Sequence, residues 1–230
     1  MQQKYYKFEV NLIYMNILAL VLYILFFLGI TILYPESIAK LYTGSGFWIF
    51  ISLLFLYFAI HELFHGIGYS LFARNRQNIK YGIIIEKGVF YAMCQELINK
   101  KATIISLLMP IIFLSIIPWI ICLFFELPIL FILAGMNFIG AIGDFTMLFL
   151  LLKLPDVSYI DYDNSIGMYL ISNQDISKYR FIGIKCVDSG IHDERLIDKS
   201  IKRFYISRPS KIFFIILILF LIINLVRSVL

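Results

Sequence analysis

FWIFISLLFLYFAIHELFHGIGYSLF, residues 47–72, is long and apolar enough to cross a bilayer, yet it carries His61, Glu62 and His65. An ionisable group in hydrocarbon costs several kcal/mol or more, so it is usually retained for a function and usually has a partner. Four further runs have similar length and character, at 11–34, 103–125, 128–152 and 212–229. Their interiors hold one more ionisable side chain, Asp144. The pattern predicts an all-α membrane protein, a polytopic bundle of about five transmembrane helices. Only Glu126, Leu127 and Pro128 part the third run from the fourth, which predicts a tight helical hairpin.

Composition agrees. The chain is 61% hydrophobic and 15% charged, which excludes an ordinary soluble domain. Its net charge of +5 calls for no nucleic acid, because the bases fall where the positive-inside rule puts them. Arg74, Arg76, Lys80, Lys87, Lys100 and Lys101 lie between the second and third spans. The loops at 35–46 and 126–128 hold only Glu36, Lys40 and Glu126. The expected topology places the N-terminus and the 73–102 and 153–211 segments in the cytoplasm, with the C-terminus outside. The first span is expected to be an anchor and not a cleavable signal, since no small-x-small site precedes Tyr34–Pro35. Cys94, Cys122 and Cys186 show no CxxC spacing, so no disulfide framework is expected. The Ile-, Phe- and Lys-rich composition fits an AT-rich bacterial genome.

Residues 1–152 form the expected transmembrane core. Within its 79–94 loop, Tyr81–Ile85 and Val89–Met93 read as strands about a Glu86–Lys87–Gly88 turn, a cytosolic β-hairpin directly after the HELFH helix. Residues 153–211 alternate short apolar runs with turn-like clusters. They predict a small cytosolic appendage, α+β or mainly β, with one helix in DERLIDKSIKRF. Residues 212–230 are the expected last span.

His61 and His65 are four apart, so on a helix both imidazoles share a face and can reach one metal ion. Glu62 is rotated off that face but adjacent to it, placed to act as a general base. Zinc accepts His nitrogen and carboxylate oxygen, and a third protein ligand is still needed. Asp144 fits by depth. His61 follows Phe47 by 14 residues and Asp144 follows Leu130 by 14, so each lies roughly 21 Å along its helix. Glu96, in the polar loop, is the alternative third ligand. His192, in a charged stretch, reads as a surface histidine. Asn137, Gly140 and Asp144 share one stripe, in which Gly140 and Gly143 leave room for a neighbouring helix and Asn137 is a candidate substrate contact. Gly66 and Gly68 follow the motif and suit close packing. A polar helix-packing cluster without metal remains the rival account of the same residues.

HELFHGIGY at 61–69 and NFIGAIGDF at 137–145, with YGIIIEKGVFYAM at 81–93 between them, resemble the intramembrane zinc metalloproteases of the site-2 protease type. The similarity is closer still to a family of bacterial multi-pass membrane proteins described as zincin peptidases. It covers about residues 47–152. The resemblance implies one zinc ion per chain on His61, His65 and Asp144, with Glu62 as catalytic base and hydrolysis of a transmembrane or hydrophobic peptide in the membrane. It also implies that the hairpin, through Tyr81, Gly82, Ile83, Val89, Phe90 and Tyr91, pairs with an unwound substrate strand. Here Gly143 precedes Asp144 and Phe145 follows it, whereas site-2 proteases usually have Asp followed by Gly. The lipid bilayer is the one other expected partner. The alternative function is a non-catalytic scaffold or transporter subunit with a structural metal site. An intact Glu62 favours the enzyme, because a structural site needs no base.

Overall fold

The structure is a computed structural model and describes residues 4–41, 45–84, 89–160, 167–190 and 204–205. The turn expected at 86–88, the helix expected in 193–204, His192 and the span expected at 212–229 lie outside these residues, apart from Phe204.

Strand β1 (Lys4–Val10) leads into helix α1 (Leu12–Leu33), short α2 (Pro35–Leu41) and α3 (Ser45–Ser70). The hairpin β2 (Ile79–Ile84) and β3 (Val89–Cys94) follows, then β4 (Ile98–Asn99). The second half begins with α4 (Lys100–Ile111), a π-helical turn (Ile112–Ile116) and α5 (Ile117–Cys122). Then come α6 (Pro128–Gly140), α7 (Ile142–Lys153), β5 (Ser158–Ile160), β6 (Gly167–Ser172), β7 (Arg180–Phe181), β8 (Ile184–Gly190) and β9 (Phe204–Tyr205). Among the described residues, three helical stretches are long and apolar enough to cross a membrane, and α6 with α7 makes a fourth if counted as one bent span. α1 exposes Ile17, Leu20, Ile24, Leu28 and Ile32 along its length. That much bare apolar surface suits lipid and not water as its solvent.

The chain is mostly helical but not all-α. β4, β5, β6, β1, β8 and β7 form one antiparallel sheet in that order. The segment after α7 therefore does not build its sheet alone: β1 and β4 come from elsewhere in the chain. In β1 the sequence KYYKFEV alternates. Tyr6 and Phe8 are buried, directly opposite Leu170 and Met168 of β6. Each such side chain contributes about 1.5–3 kcal/mol by leaving water. They pack with Leu107, Leu148, Leu150 and Leu151 of α4 and α7, which joins the sheet to the helices in one core. A second core, around Ile30, Phe50, Ile132 and Met136, ties α1, α3 and α6 together.

This sheet also fixes relative orientation. β1 precedes α1, β4 precedes α4 and β5 follows α7, yet all three belong to the same sheet. The N-terminal ends of α1 and α4 and the C-terminal end of α7 are therefore on one side. Asn11 and Asn99 cap two of these ends, accepting from the backbone N–H groups of Tyr14 and Ala102 at 3.1 and 2.8 Å.

The third and fourth apolar runs form the expected helical hairpin. Trp119 of α5 lies against Phe131 and Phe138 of α6. The fourth run is not straight, however: α6 and α7 meet at Ala141 with a bend of 49°. Gly140 and Gly143 flank the break, and glycine is a poor helix former. Gly140 does admit neighbours, since a Cβ there would meet the Tyr23 hydroxyl at 3.1 Å and Phe58 at 3.4 Å. Gly143 was expected to do the same but faces open space.

Candidate metal centre

His61 and His65 sit in the C-terminal half of α3, and both are buried. Asp144 is in the first turn of α7, where the helix dipole favours a carboxylate. His61 Nε2 is 3.1 Å from Asp144 Oδ2, His65 Nε2 is 3.3 Å from Asp144 Oδ1, and the two Nε2 atoms are 3.1 Å apart. The bend at Ala141 lets α6 and α7 approach the same imidazole from two directions. Asn137 reaches His61 Nδ1 from α6 while Asp144 reaches Nε2 from α7.

The far side of each ring identifies its tautomer. His65 Nδ1 lies 2.9 Å from the Ser106 carbonyl, which can only accept, so Nδ1 carries the proton. His61 Nδ1 lies 2.8 Å from Asn137 Oδ1. The Asn137 amide nitrogen donates to Pro110 O at 3.3 Å and Ser115 Oγ at 2.9 Å, which fixes its oxygen on the imidazole. His61 therefore also carries its proton on Nδ1. In neutral rings both Nε2 atoms then present lone pairs to each other and to a carboxylate. Three converging acceptors of this kind could share one metal ion.

Zinc suits this donor set: two imidazole nitrogens and one carboxylate, with a fourth position left for water. Ligands bound tetrahedrally at 2.0–2.1 Å would lie about 3.3 Å apart. The three separations here are 3.1, 3.1 and 3.3 Å. Holding each ligating ring by its other nitrogen is the usual support of a metal-binding histidine.

That support comes from α4 and the π turn. Pro110 has no N–H, so the Ser106 carbonyl four residues back lacks its helical donor and takes the His65 Nδ1–H instead. In the π turn the Ile117 N–H bonds five residues back to Ile112 O. The Ser106 hydroxyl returns a bond to the His65 carbonyl at 2.7 Å. This reciprocal contact requires Gly68, where a Cβ would stand 2.5 Å from Ser106 Cα. Ser106, Pro110 and Ser115 were not expected from the sequence. Their signal was a proline within an apolar run, with serines four before and five after it.

Asn137 was expected to meet substrate and instead faces inward. Both of its N–H donors are taken within the protein, and its oxygen holds His61. Asn137→Ala should weaken zinc binding about 10–100-fold, the usual cost of removing an outer-shell partner. Titration of the apoprotein with zinc measures this, and an unchanged affinity would assign Asn137 to packing alone. Glu96 is not part of the cluster. Its carboxylate accepts from Asn75 N–H at 3.4 Å and the Asn78 amide at 3.3 Å, closing a loop. Among the described residues, His61, His65 and Asp144 are the one group of three or more able to share a metal ion.

Glu62 points elsewhere. Its carboxylate accepts a hydrogen bond from the backbone N–H of Ala92 in β3. The hairpin lies against α3 at this point. Tyr81 places its hydroxyl over Gly66, where a Cβ would come within 1.7 Å of it. Burial, and next the Glu62 carboxylate nearby, push the Tyr81 hydroxyl above its ordinary pKa, so it stays a donor. The other hairpin candidates are paired strand positions: Gly82 opposite Tyr91, Ile83 opposite Phe90 and Ile84 opposite Val89. β9 adds to the far side of β2 at Gly82 and Ile83.

Residues 53–159 match the family "Putative zincin peptidase". The match to this zincin peptidase family begins within α3 and ends in β5, so it contains the whole cluster, Glu62 and the hairpin. β1, α1 and β6 to β9 lie outside it. No curated protein and no solved structure matches the chain.

Proposed function

We propose that this protein is a membrane-embedded zinc endopeptidase that cleaves transmembrane or hydrophobic peptides. The observation that carries the proposal is the convergence of two imidazole nitrogens and one carboxylate beside Glu62 on the same helix as the two histidines. His61, His65 and Asp144 are the residues that would hold the ion. Bound there, zinc would acidify a water molecule and polarise a peptide carbonyl. Glu62 takes the proton from the attacking water and returns it to the leaving amine. Asn137 and Ser106 keep both imidazoles in the ligating tautomer throughout. The hairpin receives substrate as an added strand, which an unwound peptide needs once its helical hydrogen bonds are broken.

The sheet side carries Lys4, Lys7, Arg74, Arg76, Lys100 and Lys101, which by the positive-inside rule makes it cytosolic. Detergent-purified protein should hydrolyse a quenched-fluorescent hydrophobic peptide. It should lose that activity to a chelator and recover it with zinc. A folded, zinc-replete sample that cleaves no member of a peptide library would overturn the assignment.

A further inference from the structure

We propose that the cavity beside the β7–β8 turn binds the phosphate of an anionic phospholipid, held between Arg180 and Lys185. The proposal rests on the spans lying in a bilayer and is independent of the peptidase chemistry.

The hairpin reads RFIGIK over residues 180–185, two cations around an apolar tip. Phe181 pairs with Ile184, so Ile182 and Gly183 form a two-residue turn. Gly183 has φ +73°, which side chains resist, and a Cβ there would also collide with Met15. Glycine thus lets the turn lie against α1, and its carbonyl accepts from the Asn11 N–H at 2.7 Å. On the other side the Phe181 ring stacks on Phe149 of α7, centroids 5.5 Å apart, with Lys153 Nζ 4.9 Å over it. Met15 is three residues past the start of α1 and Phe149 four before the end of α7. The turn therefore reaches roughly 5–6 Å inside both spans. Ile182, at its tip, is exposed. An apolar side chain at that depth meets the boundary between headgroups and acyl chains.

Next to the turn, Arg180 and Lys185 stand directly opposite each other. Like charges in that relation repel. Both side chains are exposed, and among the described residues neither has an ion-pair or hydrogen-bond partner. Glu9 is opposite Lys185 on the other flank, but Lys7 holds its carboxylate at 2.7 Å. A cavity of about 430 Å³ opens among these residues, lined also by Asn11, Phe181 and Gly183. An anion seated there would remove the repulsion between the two cations. Arginine offers phosphate a fork of donors, and lysine a point charge.

What adjoins the cavity selects a lipid. α1 exposes Ile13 and Ile17 from its first turns, and α7 exposes Phe149 and Leu152 near its end. A phospholipid held by its phosphate would lay its acyl chains over that surface, which a soluble anion would leave bare. Anionic lipid is concentrated in the cytoplasmic leaflet, so the site agrees with a cytosolic sheet.

The test titrates the full chain in detergent with phosphatidylglycerol or phosphatidylcholine and reads bound lipid by native mass spectrometry. The wild type should retain phosphatidylglycerol in preference. Arg180→Gln with Lys185→Gln should need about 30-fold more of it for half occupancy, at about fivefold per cation near the surface. Arg76→Gln with Lys101→Gln removes the same charge from two other exposed positions on the sheet side and should leave the midpoint in place. Excess glycerol phosphate should not displace the lipid.

Equal retention of the two lipids, or an equal loss in both double variants, overturns the proposal in favour of diffuse charge attraction. Displacement by glycerol phosphate overturns it in favour of a soluble anion. If the Arg180 and Lys185 double variant does not fold, the single substitutions decide. Each should raise the midpoint about fivefold, and an unchanged midpoint in both overturns the proposal.

Discussion

Glu62→Gln should lower peptide hydrolysis by about 10²–10⁴-fold, the range a general base supplies, while the protein keeps its full zinc content. Glu62 makes none of the three contacts that define the cluster, so removing its charge removes no ligand. Its one described hydrogen bond is to Ala92 N–H, and the glutamine side-chain oxygen can accept that bond as well. Fold and metal site should both survive, and the loss should fall on kcat. A structural metal site predicts something different, since it has no use for a base beside its ligands. Rates and zinc content measured on the same preparation separate the two. Activity within a few-fold of wild type would remove Glu62 from the chemistry. Parallel loss of zinc would make it part of the binding site instead.

The pairing of His61 with Asp144 was legible because both facts needed were local. A helical period put the two imidazoles on one face, and counting from the span ends put the aspartate at the same depth. The two ends of the hairpin were legible from strand-forming runs about a glycine turn. β1 was not read, although KYYKFEV alternates, because its partners are more than 150 residues away and nothing nearby calls for a strand. Tyr6, for example, donates to the carbonyl of Gln174. The 49° bend escaped for another reason: Asn137, Gly140 and Asp144 keep a helical stripe in sequence whether or not the helix breaks at Ala141. The stripe placed Asn137 and Asp144 on one face, and both side chains reach His61. It misjudged Asn137, because spacing gives a residue's face but not the partners that claim its amide. The same limit hid Ser106 and Pro110. A proline in an apolar helix signals an unbonded carbonyl, but which side chain takes it depends on how α3 and α4 cross, and Gly68 determines that.

Asp144→Ala should reduce zinc affinity more than 100-fold, beyond the 10–100-fold expected for an outer-shell partner such as Asn137. The carboxylate supplies the one anionic group among the three donors, and it bridges the two rings at 3.1 and 3.3 Å. Without it, two neutral nitrogens on adjacent turns remain, which makes a weak site. The measurement is zinc content together with thermal unfolding in the presence and absence of zinc. An ion that binds only the folded state stabilises it by RT ln(1 + [L]/Kd), about 4 kcal/mol at a thousand times Kd. The wild type should show that rise and Asp144→Ala almost none. The rival packing cluster predicts the opposite: no response to zinc in the wild type and a large direct loss of stability on removing the carboxylate. Under that account His61 or His65 would carry a second proton to meet Asp144, and each ring would then donate from both nitrogens. The two accounts differ in what joins the Nε2 atoms to the Asp144 oxygens, protons in the packing cluster and a metal ion in the zinc site. A metal ion between the three atoms satisfies them all.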